Sequence, residues 1–355
     1  MKIVIAAGGT GGHLYPGIAI AREVLAGAGN EVLFVGTKSG IEARVLPKEG
    51  LPVRFINVGK LKGMGIGSRM RTAFTLPRSV AQSVGLLRQE RPDAVVGVGG
   101  YASGPVALAA WFLHIPLVIV EPNSYAGLAN RVAGRFAAKI FVCFPGRDTQ
   151  GFFPEKKKVL TGPLVRKGIT EGNRDQALTA FGLERDRFTL FVMGGSGGAH
   201  AINMAMKDAA SELRSVAKLQ VLHQTGEKDV EMVKAGYQAA RVQAVVLPYI
   251  DDMAGAYAAA DLVVSRSGAT TIAELAVCGK RAVLIPYPFA ADNHQEHNAR
   301  SLAERGGGEV IVQKDLTPAK LAAVIQRFVR DRDGAMSPLA STAAEEIVRA
   351  CQRYV

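Results

Sequence analysis

The sequence predicts an α/β protein made of two doubly wound domains with parallel sheets, and three features predict it. The chain has 355 residues, and at roughly 150 residues per domain that length holds about two domains. Short Val- and Ile-rich runs alternate with longer amphipathic stretches, and the alternation runs through once and then restarts. Apolar runs of this continuous kind are buried parallel strands. Each series opens with a strand, a glycine-rich turn and a helix, which is how a mononucleotide-binding half begins.

The elements follow in order. Lys2–Ala7 is a strand, Gly12–Ala28 a helix and Glu31–Gly36 the second strand. Further strands are expected at Val53–Val58, Ala94–Val98, Leu117–Val120 and Lys139–Cys143. No charged residue occurs from Ala94 to Val120, a length that can span a bilayer. Gly97, Gly99, Gly100, Gly104, Pro105, His114 and Pro116 interrupt it, so it reads as strand, glycine loop, apolar helix and strand. The pattern restarts at Phe188–Met193 and continues through Gln220–Gln224, Ala244–Pro248, Leu262–Ser265, Ala282–Ile285 and Glu309–Val312. Gly151–Lys158 reads as a polar loop and Thr161-Gly162-Pro163 as a linker. The hinge is expected near Gly162–Arg166, giving domains at residues 1–163 and 164–338. Pro338–Val355 has a helical pattern that can pack on either domain.

Composition removes several function classes. At 48% hydrophobic and 21% charged the chain buries a core and is not disordered. Aromatics are 6% with one Trp, fewer than a stacking single-strand binder carries, and no nucleic-acid recognition motif occurs. Cys143, Cys278 and Cys351 stand far apart, with neither disulfide nor zinc spacing, which suits a reducing cytoplasm. The apolar run before Gly8 is too short for a signal peptide. Residues 1–160 carry 20 Lys and Arg against 9 Asp and Glu, whereas the remainder carries 23 against 22. That asymmetry points to an anionic partner for the first half.

Four segments carry chemistry. In Gly8-Gly9-Thr10-Gly11-Gly12-His13, glycines directly after a strand let the backbone approach an anion at the helix start. It is not a dinucleotide fingerprint: Leu14 holds the third glycine position, and Gly36-Thr37-Lys38 follows the second strand where a ribose-binding acid belongs. Gly194-Gly195-Ser196-Gly197-Gly198-Ala199 repeats the arrangement in the second half, and Ser196 has no base partner visible in the sequence. In Ser265-Arg266-Ser267-Gly268-Ala269-Thr270-Thr271-Ile272-Ala273-Glu274, small residues leave room for a phosphate at a helix start, and Glu274 can accept two hydrogen bonds from a ribose diol. Asp292-Asn293-His294-Gln295-Glu296-His297-Asn298 is a dense polar set; His294 and His297 lack partner ligands, so no metal is expected. The sole D-x-D, Asp331-Arg332-Asp333, reads as a solvated helix cap. His13, just past the glycines, is the candidate base, because a helix N-terminus favours neutral imidazole.

Taken together, Gly8–His13, Gly99-Gly100-Tyr101-Ala102-Ser103-Gly104-Pro105, Gly194–Ala199, Tyr249-Ile250-Asp251-Asp252-Met253 and Ser265–Glu274 resemble the motifs of the MurG family, from residue 1 to about 350 and in the same order. That family comprises the cytoplasmic N-acetylglucosaminyltransferases of peptidoglycan synthesis. The resemblance implies a GT-B fold, two Rossmann-like domains with parallel sheets facing across a cleft, the last helix packing back on the first. It implies inverting transfer of GlcNAc from UDP-GlcNAc to the MurNAc 4-hydroxyl of undecaprenyl-pyrophosphoryl-MurNAc-pentapeptide (lipid I), giving lipid II and UDP, without cofactor or metal. His13 is then catalytic. Ile250 touches uracil; Ser196, Ala269, Thr270 and Thr271 surround the diphosphate and sugar linkage; Glu274 binds the ribose; Gln295 meets the GlcNAc hydroxyls; Arg166, Thr10, Gly11 and Gly12 complete the donor set. Thr10 and His13, with Tyr101 and Asn123, line the acceptor side. The chain departs from the family at Val120-Glu121-Pro122-Asn123, where His-Glu-Gln-Asn is usual, and at Gly197, where Gln is common after the serine.

The basic first half now has a candidate task. Lys60, Lys62, Arg69, Arg71, Arg78, Arg88 and Arg91 stand against Glu90 alone between residues 60 and 91. Met64, Ile66, Met70, Phe74, Leu76 and Val80 are interleaved, and Trp111 and Phe112 lie in the uncharged stretch. This reads as a peripheral patch for the anionic inner-membrane surface on its cytoplasmic face, within a cell-wall or division complex. The alternative functions are glycosyl transfer to another lipid such as diacylglycerol, UDP-GlcNAc 2-epimerisation, and an inactive nucleotide-binding scaffold.

Overall fold

The computed structural model describes residues 1–58, 66–145, 151–331, 334 and 336–354, with the backbone alone for residues 66–74. The chain divides into two compact units, Met1–Arg166 with Ala340–Val355, and Lys167–Leu339.

The first unit holds seven strands: β1 (Lys2–Ala7), β2 (Glu31–Gly36), β3 (Val53–Phe55), β4 (Ala94–Gly99), β5 (Leu117–Glu121), β6 (Lys139–Val142) and β7 (Lys158–Leu160). They lie in the order β3-β2-β1-β4-β5-β6-β7, and every pair is parallel. The order reverses between β1 and β4, the switch point at which such sheets open a crevice beyond their carboxyl ends. β1, β4 and β5 are buried along their whole length apart from the first residue of β1. That is why, between Lys2 at the start of β1 and Glu121 at the end of β5, they carry Leu, Val, Ile, Ala and Gly rather than an alternating pattern. Val4, Val95, Ile119 and Ile140 form a core with Val106 and Ala110 of the helix Ser103–Phe112.

Three expectations change here. β3 stops at Phe55, short of Val58. Residues 158–160, between the expected loop ending at Lys158 and the linker starting at Thr161, add an edge strand, and Thr161 N continues its ladder by donating to Val142 O at 3.1 Å. Three residues with two half-buried positions give a periodicity argument nothing to detect. Arg166 falls with the first unit, not with residues 164–338. Its guanidinium lies 5.6 Å from the centre of the Tyr15 ring, and Ser341 Oγ donates to Pro163 O at 3.3 Å nearby in sequence. The helix Ala343–Gln352 packs on the helix Gly11–Leu25, both within this unit.

Much of the basic stretch escapes description. Lys60, Lys62 and Met64 lie outside the described residues, as do the side chains of Ile66, Arg69, Met70, Arg71 and Phe74. The helix Ile66–Glu90 buries Ser79, Ser83 and Leu87, one every four residues, while Arg78, Arg88 and Arg91 face outward. Trp111 and Phe112 are 53% and 60% exposed. Among the described residues no helix is long and apolar enough to cross a membrane. Arg332 and Asp333 of the D-x-D also lie outside the described residues.

The second unit repeats the plan. β8 (Phe188–Met193), β9 (Leu219–Gln224), β10 (Ala244–Leu247), β11 (Leu262–Ser265), β12 (Ala282–Leu284) and β13 (Gly308–Val310) form a parallel sheet in the order β10-β9-β8-β11-β12-β13. The helices His200–Leu213 and Pro318–Arg330 pack together, with Ile202, Met206, Leu213, Leu321 and Ile325 in its core.

Candidate active site

In the first unit the helix Gly11–Leu25 starts directly after the β1 glycines, and its cap residue Thr10 is exposed with no side-chain cap bond. His13 lies in the first turn, where Nδ1 meets Val98 O at the end of β4, 3.2 Å away. A carbonyl only accepts, so Nδ1 carries a proton, and in the neutral ring Nε2 then holds the lone pair. This is the tautomer a base needs. Gly99 and Gly100 make the contact feasible. Both have positive φ, +114° and +86°. A Cβ on Gly99 would lie 2.7 Å from the imidazole, and one on Gly100 would strike the Gly8 carbonyl. Tyr101 follows, 38% exposed, its ring 3.5 Å from where a Gly9 Cβ would stand.

Asn123 is held from below. Its backbone N and its Nδ2 both donate to Glu121 Oε1 at 3.0 Å. Glu121 Oε2 accepts from Gly127 N at 2.9 Å and Asn130 Nδ2 at 3.0 Å. Burial raises the Glu121 carboxyl pKa, against these bonds, which oppose the shift. Asn130 Nδ2 also reaches Val98 O at 3.4 Å, so the His13 and Asn123 clusters share one carbonyl. Val120, where the family carries His, is fully buried in β5. Sequence alone assigns no role to Glu121 or Asn130; an acid closing an apolar run is the available signal.

In the second unit the helices His200–Leu213 and Ala269–Val277 begin behind Ala199 and Gly268, neither of which supplies a side-chain cap. The helices starting after Asn173, Asp252 and Thr317 are capped by those side chains. The small residues at the two glycine-loop starts leave room for an anion to approach the helix N-terminus. Ser196 is exposed on its loop, and Thr270 and Thr271 are half-buried. Glu274 is 3% exposed, and its Oε2 accepts from the Tyr257 hydroxyl at 3.0 Å. Tyr257 lies on the helix Met253–Ala259, which Asp252 starts by accepting from Gly255 N. That explains the second Asp of Tyr249–Met253 structurally. Gln295 Oε1 accepts from Tyr287 N at 3.0 Å, and Ser267 Oγ donates to Gln295 O at 2.7 Å. The segment thus joins the Ser265–Glu274 turn. Asp292 and Asn293 before it are both left-handed, at φ +52° and +53°, a local strain of the sort kept at functional turns.

Gln224 is a further residue the sequence did not reveal. Its Nε2 donates to Gly195 O at 3.0 Å and its Oε1 accepts from Ile250 N at 2.8 Å. It ties the second glycine loop to Ile250, itself 2% exposed. Beneath this loop His223 lies between Tyr237 OH and Asn203 Oδ1, at 3.0 and 3.1 Å. Burial pulls its pKa down to about 3, so it stays neutral. Among the described residues no three His, Cys, Asp or Glu side chains gather as a metal-binding group.

Two doubly wound parallel sheets, each with a glycine loop leading into a helix after its first strand, give the two-domain α/β plan that GT-B type glycosyltransferases use. The N-terminal domain pattern of glycosyltransferase family 28 matches residues 3–142 and the C-terminal pattern residues 189–353. A UDP-N-acetylglucosamine--N-acetylmuramyl-(pentapeptide) pyrophosphoryl-undecaprenol N-acetylglucosamine transferase of Citrifermentans bemidjiense is 48% identical over 92% of this chain and 90% of its own length. The crystal structure of Acinetobacter baumannii MurG aligns over 99% of both chains with a TM-score of 0.77 and 31% identity. The chain belongs to the MurG group of glycosyltransferase family 28. A UDP-GlcNAc 2-epimerase from Neisseria meningitidis also aligns over both full chains, with a TM-score of 0.68, but at 12% identity it shares the fold alone.

Proposed function

We propose that this enzyme moves GlcNAc from UDP-GlcNAc to the MurNAc 4-hydroxyl of lipid I, making lipid II and UDP. The bond from the sugar anomeric carbon to the diphosphate oxygen breaks as the acceptor oxygen bonds to that carbon from the opposite face, with inversion. His13 Nε2 takes the hydroxyl proton. The start of the helix Ala269–Val277 receives the leaving diphosphate, its amides and dipole opposing the growing charge. Glu274 holds the ribose, Ile250 meets uracil, Gln295 meets the GlcNAc hydroxyls, and Ser196, Ala269, Thr270 and Thr271 line the linkage. Thr10, Gly11, Gly12 and Arg166 complete donor binding, and Tyr101 and Asn123 place the acceptor. The observation that carries this reading is the tautomer imposed on His13 by Val98 O. The test is UDP release from UDP-GlcNAc in detergent. Release that requires a lipid I analogue is the expected result. Release without any acceptor would sink the reading in favour of an epimerase or hydrolase, and release with diacylglycerol instead would shift it to that acceptor.

The acceptor is a membrane lipid, and the first unit offers the matching surface. Trp111 and Phe112 are exposed, Leu128 and Val132 on a neighbouring helix are 49% and 43% exposed, and Arg131 lies 4.8 Å over the Phe152 ring. With the outward Arg78, Arg88 and Arg91, they suit a peripheral seat on the anionic cytoplasmic face of the inner membrane, beside other cell-wall enzymes. Sedimentation with vesicles rich in phosphatidylglycerol should carry the enzyme down at low salt. Trp111→Ala/Phe112→Ser should stay in the supernatant; sedimentation equal to the parent would refute this surface.

A further inference from the structure

Glu42 is a fully buried carboxylate with no part in the reaction described so far. The sequence places no acid directly after β2, yet the structure brings one there. The short helix Glu42–Lys48 turns its first side chain back under the β1 loop. Glu42 Oε1 accepts from Thr37 N at 2.7 Å and from Thr37 Oγ1 at 2.9 Å, while Oε2 accepts from Gly9 N at 2.8 Å. Three glycines make space for it. A Cβ on Gly8 would lie 2.5 Å from the carboxyl carbon, and one on Gly36 or Gly40 would collide with the same side chain.

In a doubly wound sheet the loop amide after β1 belongs to a ligand phosphate and the acid after β2 to a ribose. Here the acid bonds the amide directly. We infer that Glu42 is a positioning residue: its carboxylate fills the anion cradle of the first glycine loop from within and so fixes the backbone that carries His13. The inference rests on the reading of His13 as the base. The linkage is short and rigid. Glu42 holds Gly9, the Gly8 carbonyl packs against Gly100, Gly99 packs against the His13 ring, and Val98 O sets its tautomer.

Glu42→Gln tests it, because an amide has one accepting oxygen and cannot serve Gly9 N and Thr37 N together. Turnover with UDP-GlcNAc and a lipid I analogue should fall tenfold or more. KM for UDP-GlcNAc should rise by clearly less than kcat falls, and the melting temperature should stay close to that of the parent. Thr37→Val, which removes only the hydroxyl bond, should show a two- to fivefold fall with the same split, and it decides the matter if Glu42→Gln does not fold. A folded Glu42→Gln, or failing that Thr37→Val, that turns over at the parental rate overturns the inference. So does a loss of turnover in step with donor KM and melting temperature, which is what plain destabilisation would give. His13→Ala runs alongside. Full turnover by His13→Ala would remove the proton-transfer reading and this inference with it, whereas full turnover by Glu42→Gln beside an inactive His13→Ala removes the inference alone.

Discussion

His13→Ala is expected to lower kcat by about 10²- to 10⁴-fold, the usual worth of a positioned general base. KM for UDP-GlcNAc should change far less than kcat, because the proposed uracil, ribose and GlcNAc contacts Ile250, Glu274 and Gln295 all lie in the second unit, away from His13. Two further substitutions separate anchoring from chemistry. In His13→Asn the side-chain amide nitrogen can imitate Nδ1 and donate to Val98 O, but nothing replaces Nε2. In His13→Gln the longer amide reaches towards Nε2 without its basicity. Both should be as slow as His13→Ala if the imidazole moves a proton. A rate for His13→Asn near the parent would mean that the ring only braces the loop. The measurement is steady-state UDP release at saturating donor and acceptor analogue.

Glu274→Gln should raise KM for UDP-GlcNAc by about 10- to 100-fold with a smaller change in kcat. A hydrogen bond to a charged group contributes about 1.5–3 kcal/mol, and each 1.4 kcal/mol is about tenfold in affinity. The side chain is buried and held by the Tyr257 hydroxyl at 3.0 Å, so it is already oriented for the proposed ribose contact. Tyr257→Phe keeps the ring, which lies edge-on to Phe191 at 5.8 Å, and deletes that one bond. A net loss of about 1 kcal/mol corresponds to roughly a fivefold rise in KM. A donor lacking the ribose 2′-hydroxyl gives the decisive comparison. The parent should discriminate against it, and Glu274→Gln should barely distinguish the two donors. Equal discrimination by parent and variant would take Glu274 away from the ribose.

The buried strands are legible in the sequence because central parallel strands must be apolar on both faces, and β1, β4, β8 and β11 obey that rule. The glycine loops are equally legible, since only glycine tolerates the close approach of Gly100 to Gly8. What escapes is whatever depends on side chains meeting across the fold. Glu42 stands beyond the point where a ribose-binding acid belongs, and only the turn back of its helix brings it under Gly9. Tyr257 and Gln224 read as ordinary core residues until their hydroxyl and amide are seen to hold Glu274 and Ile250. β7 is short, basic and at an edge, so neither burial nor alternation marks it.

The path of the chain has a consequence for biosynthesis. The second unit is one uninterrupted segment, Lys167–Leu339, whereas the first is closed by residues that follow it. On the ribosome the seven strands of the first sheet emerge before the second unit does, but the helix Gly11–Leu25 must wait for Ala343–Gln352 to cover it. Domains fold as units during vectorial synthesis. The second unit can thus mature while the helix that carries His13 still exposes apolar surface. A released chain that ends at Leu339 should already bind UDP yet remain a chaperone client.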